Sequence, residues 1–152
     1  MFGQGLSAEE TLSFWASLRK VPRAAVLEAL ESVGLTEVRR KSVSAFSKGM
    51  RQRLLFAQAL MGKPPLLVMD EPTNGLDPYW MDSFVTLVNR VKQEGHAVIF
   101  STHQLQVAEA VADHVAFIKG GRVAREGSVE SFREAYGEYS LQRAFSELIL
   151  GA

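Results

Sequence analysis

Two short apolar runs, "LLVM" (66–69) and "AVIF" (97–100), constrain this chain more than any other feature in it. Continuous apolar runs of that length are the mark of strands covered on both faces, and such strands belong to parallel sheets. Between them Asp77 can cap, and Pro78 can open, a helix that ends at Gly95. A strand, a helix and a strand in that order imply parallel neighbours. Downstream, "HVAFIK" and "RVARE" are joined by Gly120-Gly121, a two-residue hairpin signal, and two closing helices start near Ser128 and Ser140.

The first third has the other periodicity. Ser7 with Glu10 makes a capping box, and Leu12, Trp15, Ala16 and Arg19 continue a helical stripe. Pro22 suits a helix start, Val26, Leu27, Leu30 and Val33 line one face, and Gly34 suits the stop. A third helix is expected from about Ser47 to Leu60, closed by Gly62. A helical block at 1–60 therefore precedes an α/β block at 61–152, with no Pro/Ser linker between them.

Composition narrows the function classes. Seventeen Lys plus Arg balance seventeen Asp plus Glu, which argues against a nucleic-acid grip built on bulk positive charge. There is no cysteine, so disulfides and thiolate metal sites are excluded. No apolar run approaches the roughly 18 residues of a membrane helix. The start, "MFGQGLSAEETL", has no basic flank and no apolar core of a secretory signal, so a cytoplasmic chain is expected.

In open parallel sheets, ligands bind beyond the carboxyl ends of the strands. Asp70 and Glu71 end the first run, and Ser101, Thr102 and His103 end the second. A carboxylate there can hold Mg²⁺, directly or through water, and a second can orient and deprotonate an attacking water. His103 can touch a terminal phosphate oxygen. The bland alternative is that the acids cap the next turn and His103 is a loop residue. In "AFSKGMRQRL" (45–54), Ser47 and Gly49 open a helix, and a helix start with a hydroxyl and a glycine is a ready anion site. Ser at such a position is commonplace, and Arg51 and Arg53 can be a solvated face. Phe14, Trp15 and Trp80 are expected to pack on helices, and His96 and His114 to be structural.

Together these stretches resemble the nucleotide-binding domain of ABC transporters. "LLVMDE" resembles the Walker B strand, "FSKGM" the signature usually written LSGGQ, "GLDP" the D-loop and "STH" the switch loop. The resemblance implies a partial P-loop NTPase fold of the α/β class: a helical subdomain followed by a partial RecA-like parallel-sheet core. It implies ATP and Mg²⁺ as cofactors, with Asp70 the magnesium-associated acid, Glu71 the catalytic base and His103 the contact to the γ-phosphate. Ser47, Lys48 and Gly49 would grip ATP held by a second ATPase subunit in a head-to-tail dimer, and Asp77 would lie at that interface. Transmembrane subunits would dock on the helical block, especially residues 7 to 36, and the chain would sit peripherally on the inner face of the membrane. No nucleic acid is expected.

The signature departs from the family in Phe46, Lys48 and Met50, while Ser47 and Gly49 keep the anion-binding logic. "SKGMRQR" resembles the spelling in ABC-2-type exporters and in the copper-handling transporter that supports nitrous-oxide reductase. The family's phosphate loop, G-x-x-x-x-G-K-[ST], is not in these residues. The one Gly-Lys pair, Gly62-Lys63, is followed by Pro64 and has Ala57 where the first glycine belongs. The chain is thus expected to begin inside the family's pattern, short of a strand, a phosphate loop and a helix, on the order of 30 residues or more. Gln4 falls near the glutamine loop and is not assigned as its sensor. An unpaired apolar edge on "LLVM" is expected, with an aggregation hazard, so that the chain alone is poorly folded or completed by something further. A non-transport ABC ATPase and a non-catalytic module that lends its signature to a partner stay open.

Overall fold

A computed structural model describes residues 5–151; Gln4 lies outside the described residues. Contacts gather the chain into two compact units, one running to Ser101 and one from Thr102. The change from helices to strands near residue 60 falls inside the first unit.

In the first unit, α1 (Ala8–Leu18) starts as its sequence dictates. The Ser7 hydroxyl accepts the Glu10 N–H at 3.2 Å, and the Ser7 N–H donates to Glu10 Oε2 at 2.7 Å. These backbone and side-chain bonds hold the Glu10 carboxyl below its ordinary range. A lowered carboxyl stabilises the fold above the unfolded-state value, and that contribution is lost as pH falls through the folded-state value. Ser7→Ala should therefore lower the melting temperature by a few degrees at neutral pH and flatten its decline in acid. A thermal-melt series across pH checks both.

Helices α2 (Ala24–Ser32) and α3 (Lys48–Leu60) pack with α1. Pro22 precedes the α2 cap, Arg23, and Val26, Ala29, Leu30 and Val33 are buried. Leu27, expected on that face, is 50% exposed: the buried stripe runs 26, 29, 30, 33, and 27 lies a quarter-turn off it. At the far end of α3, Arg19 donates to the carbonyls of Gln58 and Met61, at 3.2 and 2.9 Å. Those bonds serve carbonyls that have no partner within a helix's last turn.

Strands β1 (Leu66–Met69) and β2 (Ala97–Phe100) pair in parallel with Val68 opposite Ile99. Helix α4 (Pro78–Gln93) connects them, capped by Asp77 and opened by Pro78 as expected. Its buried Phe84 meets Phe56 and Phe100 edge-on, with centroids 5.9 and 5.7 Å apart. This is the face of the sheet that carries Leu67, Met69, Val98 and Phe100. The other face corrects the expectation of strands covered on both sides. Leu66, Val68 and Ile99 are exposed, Val68 by 69%. In parallel register paired residues share a face and alternate along each strand, so these side chains form one apolar patch on a two-stranded sheet.

The second unit begins with α5 (Leu105–Val111), a helix not expected from the sequence. It continues with an antiparallel hairpin, β3 (His114–Lys119) and β4 (Arg122–Ser128). Gly120 and Gly121 both have positive φ, 58° and 73°, as a two-residue turn that matches strand twist requires. Helices α6 (Val129–Tyr136) and α7 (Ser140–Leu150) follow, and Ala108, Phe117, Phe132, Leu141 and Ala144 form the core. Ser128 caps α6 by accepting the Ser131 N–H at 3.1 Å. Ser140 is the buried first residue of α7, and its hydroxyl donates to Glu109 Oε1 at 2.6 Å. Arg125 donates to the Tyr136 hydroxyl, which donates in turn to Glu147, tying β4, α6 and α7 together.

No helix among the described residues is long and apolar enough to cross a membrane.

Candidate functional site

Where β1 ends, the backbone turns sharply. Asp70 is exposed and Glu71 half-buried, and Glu71 adopts the left-handed conformation, φ 47°. A residue with a Cβ takes that conformation at a cost of about 1–2 kcal/mol, so its surroundings must hold it there. Two bonds do. The Asn74 N–H donates to the Glu71 carbonyl at 3.0 Å, closing a turn over buried Pro72 and Thr73. The Glu71 N–H donates to Ser101 Oγ at 2.9 Å.

Ser101 is placed by the sheet. Its N–H donates to the Met69 carbonyl at 3.1 Å, carrying the β1–β2 ladder one residue beyond Phe100. Its hydroxyl donates to Asp70 Oδ1 at 2.6 Å while it accepts from Glu71. Asp70, Glu71 and Ser101 are thus one hydrogen-bonded group at the carboxyl end of the parallel pair.

Among the described residues no group of three or more His, Asp or Glu could hold a metal ion. What Asp70 and Ser101 present is a carboxylate beside a hydroxyl, both hard oxygen donors. That set fits Mg²⁺ of the kind bound through one or two carboxylates, with water and substrate phosphate filling the rest of its shell.

The second sequence-predicted site is the start of α3. Ser47 caps it from an extended conformation, its Oγ accepting the Met50 N–H at 3.2 Å. Gly49 rides close on Leu76: a Cβ there would stand 3.4 Å from Leu76 Cδ2. Lys48 lies along Gly75, where a Cβ would stand 2.7 Å from Lys48 Cδ and 2.9 Å from its Nζ. Asp77 caps α4 by accepting the Trp80 N–H at 3.0 Å. The structure therefore brings Lys48 and Gly49 against the turn that leads into Asp77, inside one unit.

Arg51 and Arg53, read from sequence as a charge that could be a solvated face, are both engaged. Arg51 donates to the Ser44 carbonyl at 3.0 Å. Arg53 is half-buried and donates to the carbonyls of Val33 and Gly34 at 3.2 and 3.3 Å. Its guanidinium lies over the Trp80 ring, 3.0 Å from the centroid. Burial holds its pKa down at about 10, opposed by the charge of Asp77 and by Tyr79. It stays charged at neutral pH. Arg53 and Trp80 border a cleft of about 500 Å³ whose walls include Phe56, Leu76 and Phe84.

Trp80 is thus a packing residue, as expected, and Phe14, 46% exposed on α1, meets Trp15 edge-on with ring centroids 6.0 Å apart. His96 is structural, with Nδ1 2.5 Å from the Pro64 carbonyl, and His114 is exposed at the start of β3. In the second unit His103 follows Thr102, whose hydroxyl accepts the Gln104 N–H at 3.0 Å ahead of α5.

Two residues of consequence are hard to recognise from sequence. Sequence puts Ser101 at a strand end, and the one signal of its role is its position directly after a strand parallel to the one ending at Asp70. Arg53 had no local signal, because its partners lie 19 and 20 residues before it and 27 after it.

Known proteins resemble this chain over most of its length. Residues 31–109, just over half the chain, match the family model described as "AAA domain, putative AbiEii toxin, Type IV TA system". The lantibiotic transport ATP-binding protein SrtF of Streptococcus pyogenes is 34% identical over 97% of this chain and 62% of its own length. An ABC transporter ATP-binding protein of Bacillus subtilis, YdbJ, is 40% identical over 82% of this chain and 41% of its own. The fluoroquinolones export ATP-binding protein of Mycobacterium tuberculosis is 38% identical over 79% and 40%. A solved ATP-binding subunit of an ABC transporter superposes with a TM-score of 0.82 at 29% identity, over 98% of this chain and 65% of that one. The chain spans less than two thirds of each of these relatives. With a partial P-loop fold, the chain belongs to the AAA-domain family, and the relatives it matches are ATP-binding proteins of ABC transporters.

Proposed function

We infer that these residues are the signature, Walker B, D-loop and switch portion of a subunit that hydrolyses ATP to energise transport across a membrane. The observation that carries the reading is the hydrogen-bonded Asp70–Glu71–Ser101 group at the carboxyl end of a parallel strand pair. Asp70 would hold Mg²⁺ through its carboxylate; bound there, the ion would neutralise charge on the nucleotide's phosphates. Glu71 orients and deprotonates the attacking water. His103 contacts the γ-phosphate. Ser47, Lys48 and Gly49 close on ATP held by a second subunit, in a head-to-tail dimer with Asp77 at its interface. Residues 1–60 act as the helical subdomain and 61–152 as part of the RecA-like core. Transmembrane subunits dock on the helical part, at the inner face of the membrane. The role named for one relative, fluoroquinolones export, favours an exporter.

Phosphate release tests this, measured on the protein that joins these residues to a phosphate loop. Asp70→Asn should raise the Mg²⁺ concentration for half-maximal turnover by about 10-fold or more. An unchanged Mg²⁺ requirement would remove Asp70 from that role.

A further inference from the structure

We propose that Ser101 is a positioning residue for the hydrolytic pair, acting through both ends of its hydroxyl. The proposal deepens the reading above and rests on it. A hydroxyl offers one donor and two acceptor sites. Here the donor goes to Asp70 Oδ1 at 2.6 Å and an acceptor site takes the Glu71 N–H at 2.9 Å. One oxygen therefore fixes two different things: the rotamer of the acid at 70 and the backbone of the acid at 71.

The second matters because the Glu71 backbone is in a conformation it would not choose. At φ 47° its Cβ is aimed by strain, and a drop back into the extended region would swing the carboxyl to a new direction. The bond from its N–H opposes that relaxation. Ser101 is itself held from the opposite side, its N–H bonded to the Met69 carbonyl at 3.1 Å. The chain of fixed groups runs from the β1–β2 ladder to Ser101 and then to both acids. Alanine at 101 would keep the ladder bond and lose both side-chain bonds. Threonine would keep the hydroxyl.

Three consequences separate this from a residue that only adds stability. Amide exchange at Glu71 should be slow in the wild type and in Ser101→Thr, and faster by about 10-fold or more in Ser101→Ala. In the ATPase that joins these residues to a phosphate loop, Ser101→Ala should lower kcat by about 10- to 100-fold and raise the Mg²⁺ requirement, with KM for ATP changed less than about threefold. Ser101→Thr should recover most of both.

The outcomes are distinguishable. A Glu71 amide that exchanges equally fast in wild type and Ser101→Ala overturns the clamp, whatever the turnover. Equal turnover losses in Ser101→Ala and Ser101→Thr, or an unchanged kcat and Mg²⁺ requirement in Ser101→Ala, overturn the positioning role. If Glu71→Gln leaves turnover unchanged, the hydrolytic reading itself fails, and amide exchange still decides whether Ser101 fixes the turn.

Discussion

Glu71→Gln should reduce ATP turnover by about 10²–10⁴-fold, the range over which a positioned base contributes. The substitution keeps the shape of the side chain and removes its capacity to take a proton. The backbone bonds that hold residue 71, from its N–H to Ser101 and from Asn74 to its carbonyl, involve no carboxylate. The turn should therefore survive, and with it nucleotide affinity, so the loss should appear in kcat and not in KM. Single-turnover and steady-state measurements on the protein that joins these residues to a phosphate loop check this. Steady-state hydrolysis at the wild-type rate would take the base role away from Glu71.

The largest effect on stability is expected at Arg53. Its guanidinium donates to two carbonyls at the end of α2, covers the Trp80 ring and reaches both from the middle of α3. Alanine there leaves the Val33 and Gly34 carbonyls without that donor and uncovers an indole face. A stacked cation and charge-assisted hydrogen bonds are each worth about 1–2 kcal/mol, so a loss of about 2–4 kcal/mol is expected. Lysine should recover little of it. An ammonium has no planar face to lay on the indole. Urea unfolding followed by tryptophan fluorescence gives the number, and a change below about 0.5 kcal/mol in the alanine variant would show that Arg53 holds nothing together.

Much of this protein was readable in one dimension, for an identifiable reason. The Ser7–Glu10 capping box, the Asp77-Pro78 helix start and the Gly120-Gly121 turn are local devices, closed within two to four residues, so the residue types carry them whatever surrounds them. The two apolar runs became strands at their expected limits because length and turn residues bound them on both sides. Helix α5 escaped because it is only seven residues long and has no side-chain cap.

Burial was less readable than periodicity. The runs at 66–69 and 97–100 look alike at every position, yet Leu67 is buried and Val68 largely exposed. The pleat alone alternates them, and only the element packed on each face decides which parity is covered. Leu27 shows the same thing on a helix, being apolar, next to buried Val26, and outside the contact stripe.

For the site, the sequence by itself settled which residue types stand at the strand end and at the helix start, because a motif is a statement about neighbours along the chain. It could name Asp70, Glu71, Ser47 and Gly49. Tertiary structure alone decided that Ser101, 30 residues on, holds both acids, that Lys48 lies along Gly75, and that Arg53 spans from α2 to Trp80. Each of those contacts joins segments that meet only when the chain folds, and no local preference encodes a distance between them.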